Sequence, residues 1–150
     1  MQKQIRRNYK EVRALGTYVK LMRAAESITS RAHKHLSSVG LTVSQFGVLE
    51  AIFHLGPLSQ RELGRKILRS SGNITMVIDN LEKRRLVRRE RDASDRRQFI
   101  VHLTDEGQKL IEKIFPSHAA LIIQQLSVLS AADQKILGDL CKKVGVGVKN

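Results

Sequence analysis

Ser70-Ser71-Gly72-Asn73-Ile74-Thr75-Met76-Val77-Ile78-Asp79-Asn80-Leu81-Glu82 runs straight into Lys83-Arg84-Arg85-Leu86-Val87-Arg88-Arg89-Glu90-Arg91. A turn-rich stretch follows, Asp92-Ala93-Ser94-Asp95-Arg96-Arg97, and then Gln98-Phe99-Ile100-Val101-His102-Leu103, ending at Thr104. Ile74, Val77, Ile78 and Leu81 recur at spacings of three and four, so the first segment predicts a helix with one buried face. The basic segment and the Phe99–Leu103 run predict two strands joined by an arginine-bearing tip.

Just upstream, Ser59 and Glu62 stand at the spacing of a capping box, which predicts a short helix from Ser59 to Ile67. Helix, turn, helix and basic ribbon is the pattern of a winged helix-turn-helix. Such a unit sets its second helix in the major groove of DNA and its ribbon against the backbone or the minor groove. The fold expected is therefore mainly α with a small β-ribbon.

The flanks carry longer helices. Val12, Leu15, Val19, Met22, Ala25, Ile28, Ala32 and Leu36 form one apolar stripe, and Gly40 supplies the stop. Thr42 and Gln45 form a second capping box, opening a largely apolar helix with Phe46, Val48, Leu49, Ile52 and Phe53 that ends at Gly56-Pro57. Beyond the ribbon, Thr104 caps a helix whose stripe is Leu110, Ile111, Ile114, Leu121, Ile122 and Leu126; Pro116 is expected to kink or interrupt it. Ser130 and Asp133 open a final helix bearing Ile136, Leu137, Leu140 and Val144. A reading unit of fewer than about 70 residues does not need so much flanking helix. Two copies that interlock these helices into a shared core do need it. The alternative is that they complete the core of a single chain.

Composition agrees with a nucleic-acid partner. The 150 residues carry 27 Lys and Arg against 14 Asp and Glu, a net charge of +13. Between Arg61 and Arg97 lie 12 basic and 6 acidic residues, and between Met1 and His35 lie 9 and 2. Basic charge thus concentrates on the reading unit and the first helix. A 41% apolar content suffices for a packed core. One cysteine, Cys141, rules out a disulfide within the chain and suits a reducing cytoplasm; core packing is its expected role. No apolar run approaches the roughly 20 residues of a membrane span, and no secretory signal pattern opens the sequence. The five histidines show no metal-ligand spacing, and no phosphate loop or nucleophile motif is present, so no cofactor and no enzyme activity are expected.

Three pieces in order resemble the MarR family of bacterial transcriptional regulators. They are Asn73-Ile74-Thr75 through Leu81-Glu82-Lys83, the wing pattern Asp95-x-Arg97, and Leu103-Thr104-x-x-Gly107. The resemblance extends to the flanking helices. It implies one domain over 1–150, with the winged helix-turn-helix at 41–104 and dimerisation helices at 8–38 and 105–146. It further implies a homodimer that represses a nearby operon from a pseudo-palindromic site on double-stranded DNA, often relieved by a small phenolic or aromatic compound. Two positions depart from the family: Arg85 stands where a glycine usually follows the recognition helix, and Met76 where a basic residue is common. Arg85 then either bears backbone strain or the turn differs.

The residues expected on DNA are Arg69, Ser70, Ser71, Asn73, Thr75, Met76, Arg96 and Arg97. Short polar side chains in the first turns of the recognition helix suit phosphates and base edges. Met76 suits a thymine methyl, or else faces the protein. Arg97, matching the wing arginine of the family, suits a narrow minor groove. Asp95 is expected to support the wing by turning it and by pairing with a nearby arginine, Arg88 or Arg89. An architectural protein that binds DNA or RNA without sequence choice is the alternative reading of the same charge.

Overall fold

The computed structural model describes residues 8–67 and 71–147. Helices α1 (Tyr9–Ser38) and α2 (Val43–Leu55) precede a short strand β1 (Leu58–Ser59). Then come α3 (Gln60–Lys66), α4 (Ser71–Lys83), strands β2 (Val87–Arg91) and β3 (Phe99–Leu103), α5 (Asp105–Leu126) and α6 (Ala131–Val146). The strands form one antiparallel sheet in the order β1-β3-β2. The third strand was not legible beforehand: Leu58 and Ser59 pair with Val101 and Ile100, and two residues are too few to show alternation.

Helices α1, α2, α3, α5 and α6 each start where a capping residue stands. Thr42 and Ser59 accept from the backbone N–H three residues on, and Gln45 and Glu62 reach back to close both boxes. Asn8 and Glu11 make a third box at the start of α1. Thr104 and Ser130 cap α5 and α6. The end of α1 is closed by Leu41 N–H on the Leu36 carbonyl and Gly40 N–H on that of Ser37, with Gly40 left-handed at φ 76°. Helix α5 runs through Pro116 without interruption, against the possibility of a break there.

Helix α2 is the centre of the core. Its Phe46, Val48, Leu49 and Ile52 are buried against Leu36 of α1, Leu63 of α3, Ile74, Ile78 and Leu81 of α4, Val87 and Val101 of the sheet, and Ile111 and Ile114 of α5. Gly64 of α3 is buried, and a Cβ there would stand 3.4 Å from Ile74. That is an ordinary contact distance, so the crossing of α3 over α4 does not by itself account for a glycine inside α3.

The ends of the chain are different. Only Ala32 and Leu36 of the 30-residue α1 are buried, and nothing on α6 is. Tyr9, Val12, Leu15, Tyr18, Val19 and Met22 on α1 stand exposed, as do Ile136, Leu137, Leu140 and Val144 on α6. The C-terminal end of α1 joins the core through Leu36, whereas its N-terminal part and α6 stay outside it. Cys141 is exposed with the rest of α6, so it does not pack in the core of its own chain.

Candidate DNA interface

Helix α4 presents two faces. Ile74, Ile78 and Leu81 turn inward and are buried, with Val77 half-buried beside them. Asn73, Thr75 and Met76 lie on the outer face, Met76 at 57% exposure. Of the two expectations for Met76, outward orientation is the one observed. Arg69 and Ser70 lie outside the described residues, as does the side chain of Ser71, whose backbone opens α4.

The wing brings its arginines to different ends. Arg89 turns back to α4: its guanidinium pairs with Asp79 and lies 3.8 Å from Glu82, and its backbone N–H donates to Glu82 at 3.1 Å. Arg88 pairs with Glu90 on its own strand. Arg96 and Arg97 stand exposed at the tip, with no ion pair of their own among the described residues. Asp95 does not pair with Arg88 or Arg89, which have acidic partners elsewhere. Its Oδ1 accepts from the Arg97 backbone N–H at 3.1 Å and its Oδ2 from the Gln98 amide at 3.1 Å. Asp95 turns the wing but does not pair with either arginine, because a short carboxylate reaches the backbone two residues on more easily than a distant guanidinium.

Asp92 plays a similar part on the other side of the tip. It accepts from both the backbone N–H and the hydroxyl of Ser94 at 2.8 Å, and these donors hold its carboxyl below the usual carboxylate range. On the sheet behind, His102 faces Arg88 across the strands, with Nε2 3.3 Å from Glu90. Burial, and then the charge of Arg88, push its pKa down.

A cleft of about 440 Å³ opens where α3, α4 and the wing meet. Gln60, Arg61, Arg65, Thr75, Arg97 and Phe99 are among its walls. Gln60 donates to the Thr75 hydroxyl at 2.7 Å, fixing that side chain at the mouth. The two predicted reading elements therefore open onto one basic concavity. Arg61 and Arg65 are additions that the sequence reading missed; their position on α3 was visible, but not that α3 turns that face to the wing.

The turn leaving α4 is the second site that departs from a simple pattern. Leu86 N–H bonds to the Leu81 carbonyl and Arg85 N–H to that of Glu82, with Arg85 left-handed at φ 59°. It is the one non-glycine residue with positive φ among the described residues, so the strained alternative is the one realised. The Thr104 hydroxyl donates to the Arg85 carbonyl at 2.6 Å and the Thr104 N–H to that of Leu86 at 3.1 Å. Immediately before Arg85, Arg84 donates to the Gly40 carbonyl at 2.8 Å, tying the end of α4 to the corner between α1 and α2.

A helix-turn-helix with an outward polar face, joined to a ribbon tipped by two exposed arginines, defines a winged-helix DNA-binding protein. Comparison with known proteins gives the family. The MarR family model matches residues 39–98. The transcriptional regulator MhqR of Bacillus subtilis is 37% identical over 137 residues, 91% of this chain and 94% of that one. The structure of Bordetella bronchiseptica BpsR, described with a mechanism for regulation of its DNA binding by 6-hydroxynicotinic acid, is 25% identical. It superposes with a TM-score of 0.77 over 87% of this chain and 98% of that one. The PcaV regulator of Streptomyces coelicolor, solved with its natural ligand, is 26% identical with a TM-score of 0.72 over 89% and 92%. The chain belongs to the MarR family: it is a DNA-binding transcription regulator with a winged helix-turn-helix fold. Its family is one of regulators, not of enzymes. No single helix among the described residues is long and apolar enough to cross a membrane.

Proposed function

We propose that the protein is a homodimeric repressor that occupies a pseudo-palindromic operator and leaves it when a small aromatic compound binds. The observation that carries the DNA half is the shared cleft, on which Thr75 of α4 and Arg97 of the wing both open. In this reading Asn73, Thr75 and Met76, with Ser70 and Ser71, meet the major groove, and Arg97 enters the minor groove. Arg61, Arg65, Arg69 and Arg96 hold the intervening phosphates. Phosphate contacts of this number make the affinity steeply salt-dependent.

The dimer reading is supported by the uncovered apolar residues of α1 and α6, which one chain leaves in water. Two reading heads about one helical turn (~34 Å) apart fit inverted half-sites. The effector reading is supported by BpsR and PcaV, whose structures are described with small ligands. In this chain an aromatic wall lies under the reading head, where His118 of α5 meets Phe46 of α2 at 4.2 Å and His35 of α1 at 6.0 Å between ring centroids. A planar ligand seated between those three helices would shift α1 against α2. Arg84, bonded to the corner between them, would pass that shift to α4.

Selection of bound duplexes from a random pool tests the reading. It predicts enrichment of two inverted half-sites spaced by about one turn. Recovery of unrelated sequences would point to architectural binding instead.

A further inference from the structure

One peptide unit at the wing tip is held from both ends. The bond between Arg96 and Arg97 has its N–H on the Arg97 side, and that N–H donates to Asp95 Oδ1 at 3.1 Å. Its carbonyl, on the Arg96 side, accepts from Arg91 Nη1 at 2.7 Å. Arg91 is itself fixed: its guanidinium carbon lies 4.9 Å from the centre of the Phe99 ring. Arg91 and Phe99 are the last register pair of β2 and β3 before the tip, so the brace rises from the end of the ladder that carries the loop.

Around this unit the loop has its own closures. Asp92 N–H reaches the Gln98 carbonyl at 3.0 Å and Gln98 N–H the Asp95 carbonyl at 2.9 Å. Neither bond touches the Arg96–Arg97 peptide. Without Arg91 that peptide keeps one tie, to Asp95, and is free to tilt about it. The direction in which the Arg97 side chain leaves the backbone follows the tilt of the peptide that precedes it.

We infer that Arg91 is a positioning residue for Arg97. Its guanidinium, though exposed, is held on a ring face and a carbonyl of the wing, and its effect on DNA is delivered through the side chain it aims. This rests on the reading of Arg97 as the minor-groove residue given above. Pre-aiming matters there because an arginine ordered before binding does not lose its rotamer freedom on entering the groove.

A double-mutant cycle tests the inference. The probe is a duplex of about 30 base pairs, long enough for two half-sites, enriched by the full-length protein from a random pool. Affinities are measured at one salt concentration for the wild type, Arg91→Ala, Arg97→Ala and the double variant, with melting curves for each. Arg91→Ala is expected to weaken binding about 5- to 10-fold in the wild type and to have no further effect once Arg97 is alanine. It is also expected to relax the preference for A·T pairs under the wing, which a loss of fold alone would not do selectively. An equal loss in both backgrounds would make Arg91 an independent DNA contact and overturn the inference. So would an Arg91→Ala variant that binds as the wild type does, or an Arg97→Ala variant that does, since nothing would then need aiming. A wild type that enriches no sequence at all fails earlier and differently, removing the regulator reading itself.

Discussion

Arg89 of the wing is bonded to Asp79 of the recognition helix, and the pair locks the two DNA-facing elements of the molecule together. The guanidinium is four-fifths covered, with Glu82 as a second acid beside it, whereas the outer edge of Asp79 remains open to water. The link is one of geometry more than of gross stability. It sets the angle at which the ribbon leaves the helix.

Replacing Arg89 with methionine keeps most of the volume and removes the tie. Because the acids left behind can hydrate, the loss of stability should be moderate, about 1–3 kcal/mol. Urea unfolding should show a lower midpoint with an unchanged slope. A variant as stable as the wild type would mean the pair contributes nothing net.

The turn after α4 makes two predictions of opposite sign. A Cβ on Gly107 would overlap the Leu86 carbonyl oxygen, a backbone atom that cannot move aside. Gly107→Ala should therefore cost about 2–4 kcal/mol. Arg85→Gly, by contrast, removes the left-handed strain at φ 59° and should raise stability by up to about 1 kcal/mol. Thermal melting of both variants checks this, and a destabilised Arg85→Gly would show that the side chain matters more than the backbone.

Stability should also fall in mild acid. Burial is the chief reason that His118 and His102 both titrate below the ordinary histidine range near 6.5. The unfolded chain then binds more protons than the folded one as pH falls through about 6.5, so stability is highest above that pH and declines below it. His118→Phe should flatten part of the decline between pH 7.5 and 5.5. An identical pH profile for that variant would remove His118 from the account.

Deleting residues 1–16 takes away Tyr9, Val12 and Leu15, which one chain leaves exposed. If α1 is covered by a second copy, the truncated chain should dissociate at concentrations where the full chain is dimeric, as sedimentation would show. A truncated chain that stays dimeric and melts at the same temperature would place the interface elsewhere.

The parts of this fold that the sequence made legible are those governed by local chemistry. Thr42, Ser59, Thr104 and Ser130 each begin a helix by capping it, and the burial of Ile74, Ile78 and Leu81 follows from their spacing. The parts that were hidden depend on what lies across a gap. Strand β1 exists only because β3 passes beside Leu58 and Ser59. Asp95 was expected to reach an arginine, but Asp79 and Glu82, remote in sequence from the tip, hold Arg89 instead. Arg91 reads as one more basic residue until the ring of Phe99 and the carbonyl of Arg96 are seen around it. Cys141 sits on a helix with an apolar stripe, and a stripe does not say whether its own chain or another covers it.

The most direct test of the central claim is fluorescence anisotropy of the full-length protein on the DNA upstream of its own gene, with excess random duplex as competitor at fixed salt near 0.15 M. The account predicts binding that survives the competitor with a preference of at least ~10³. It also predicts that Arg97→Ala, still folded, loses about 1–3 kcal/mol of that affinity. Binding that competes away completely there, and on every duplex enriched from a random pool, would contradict it.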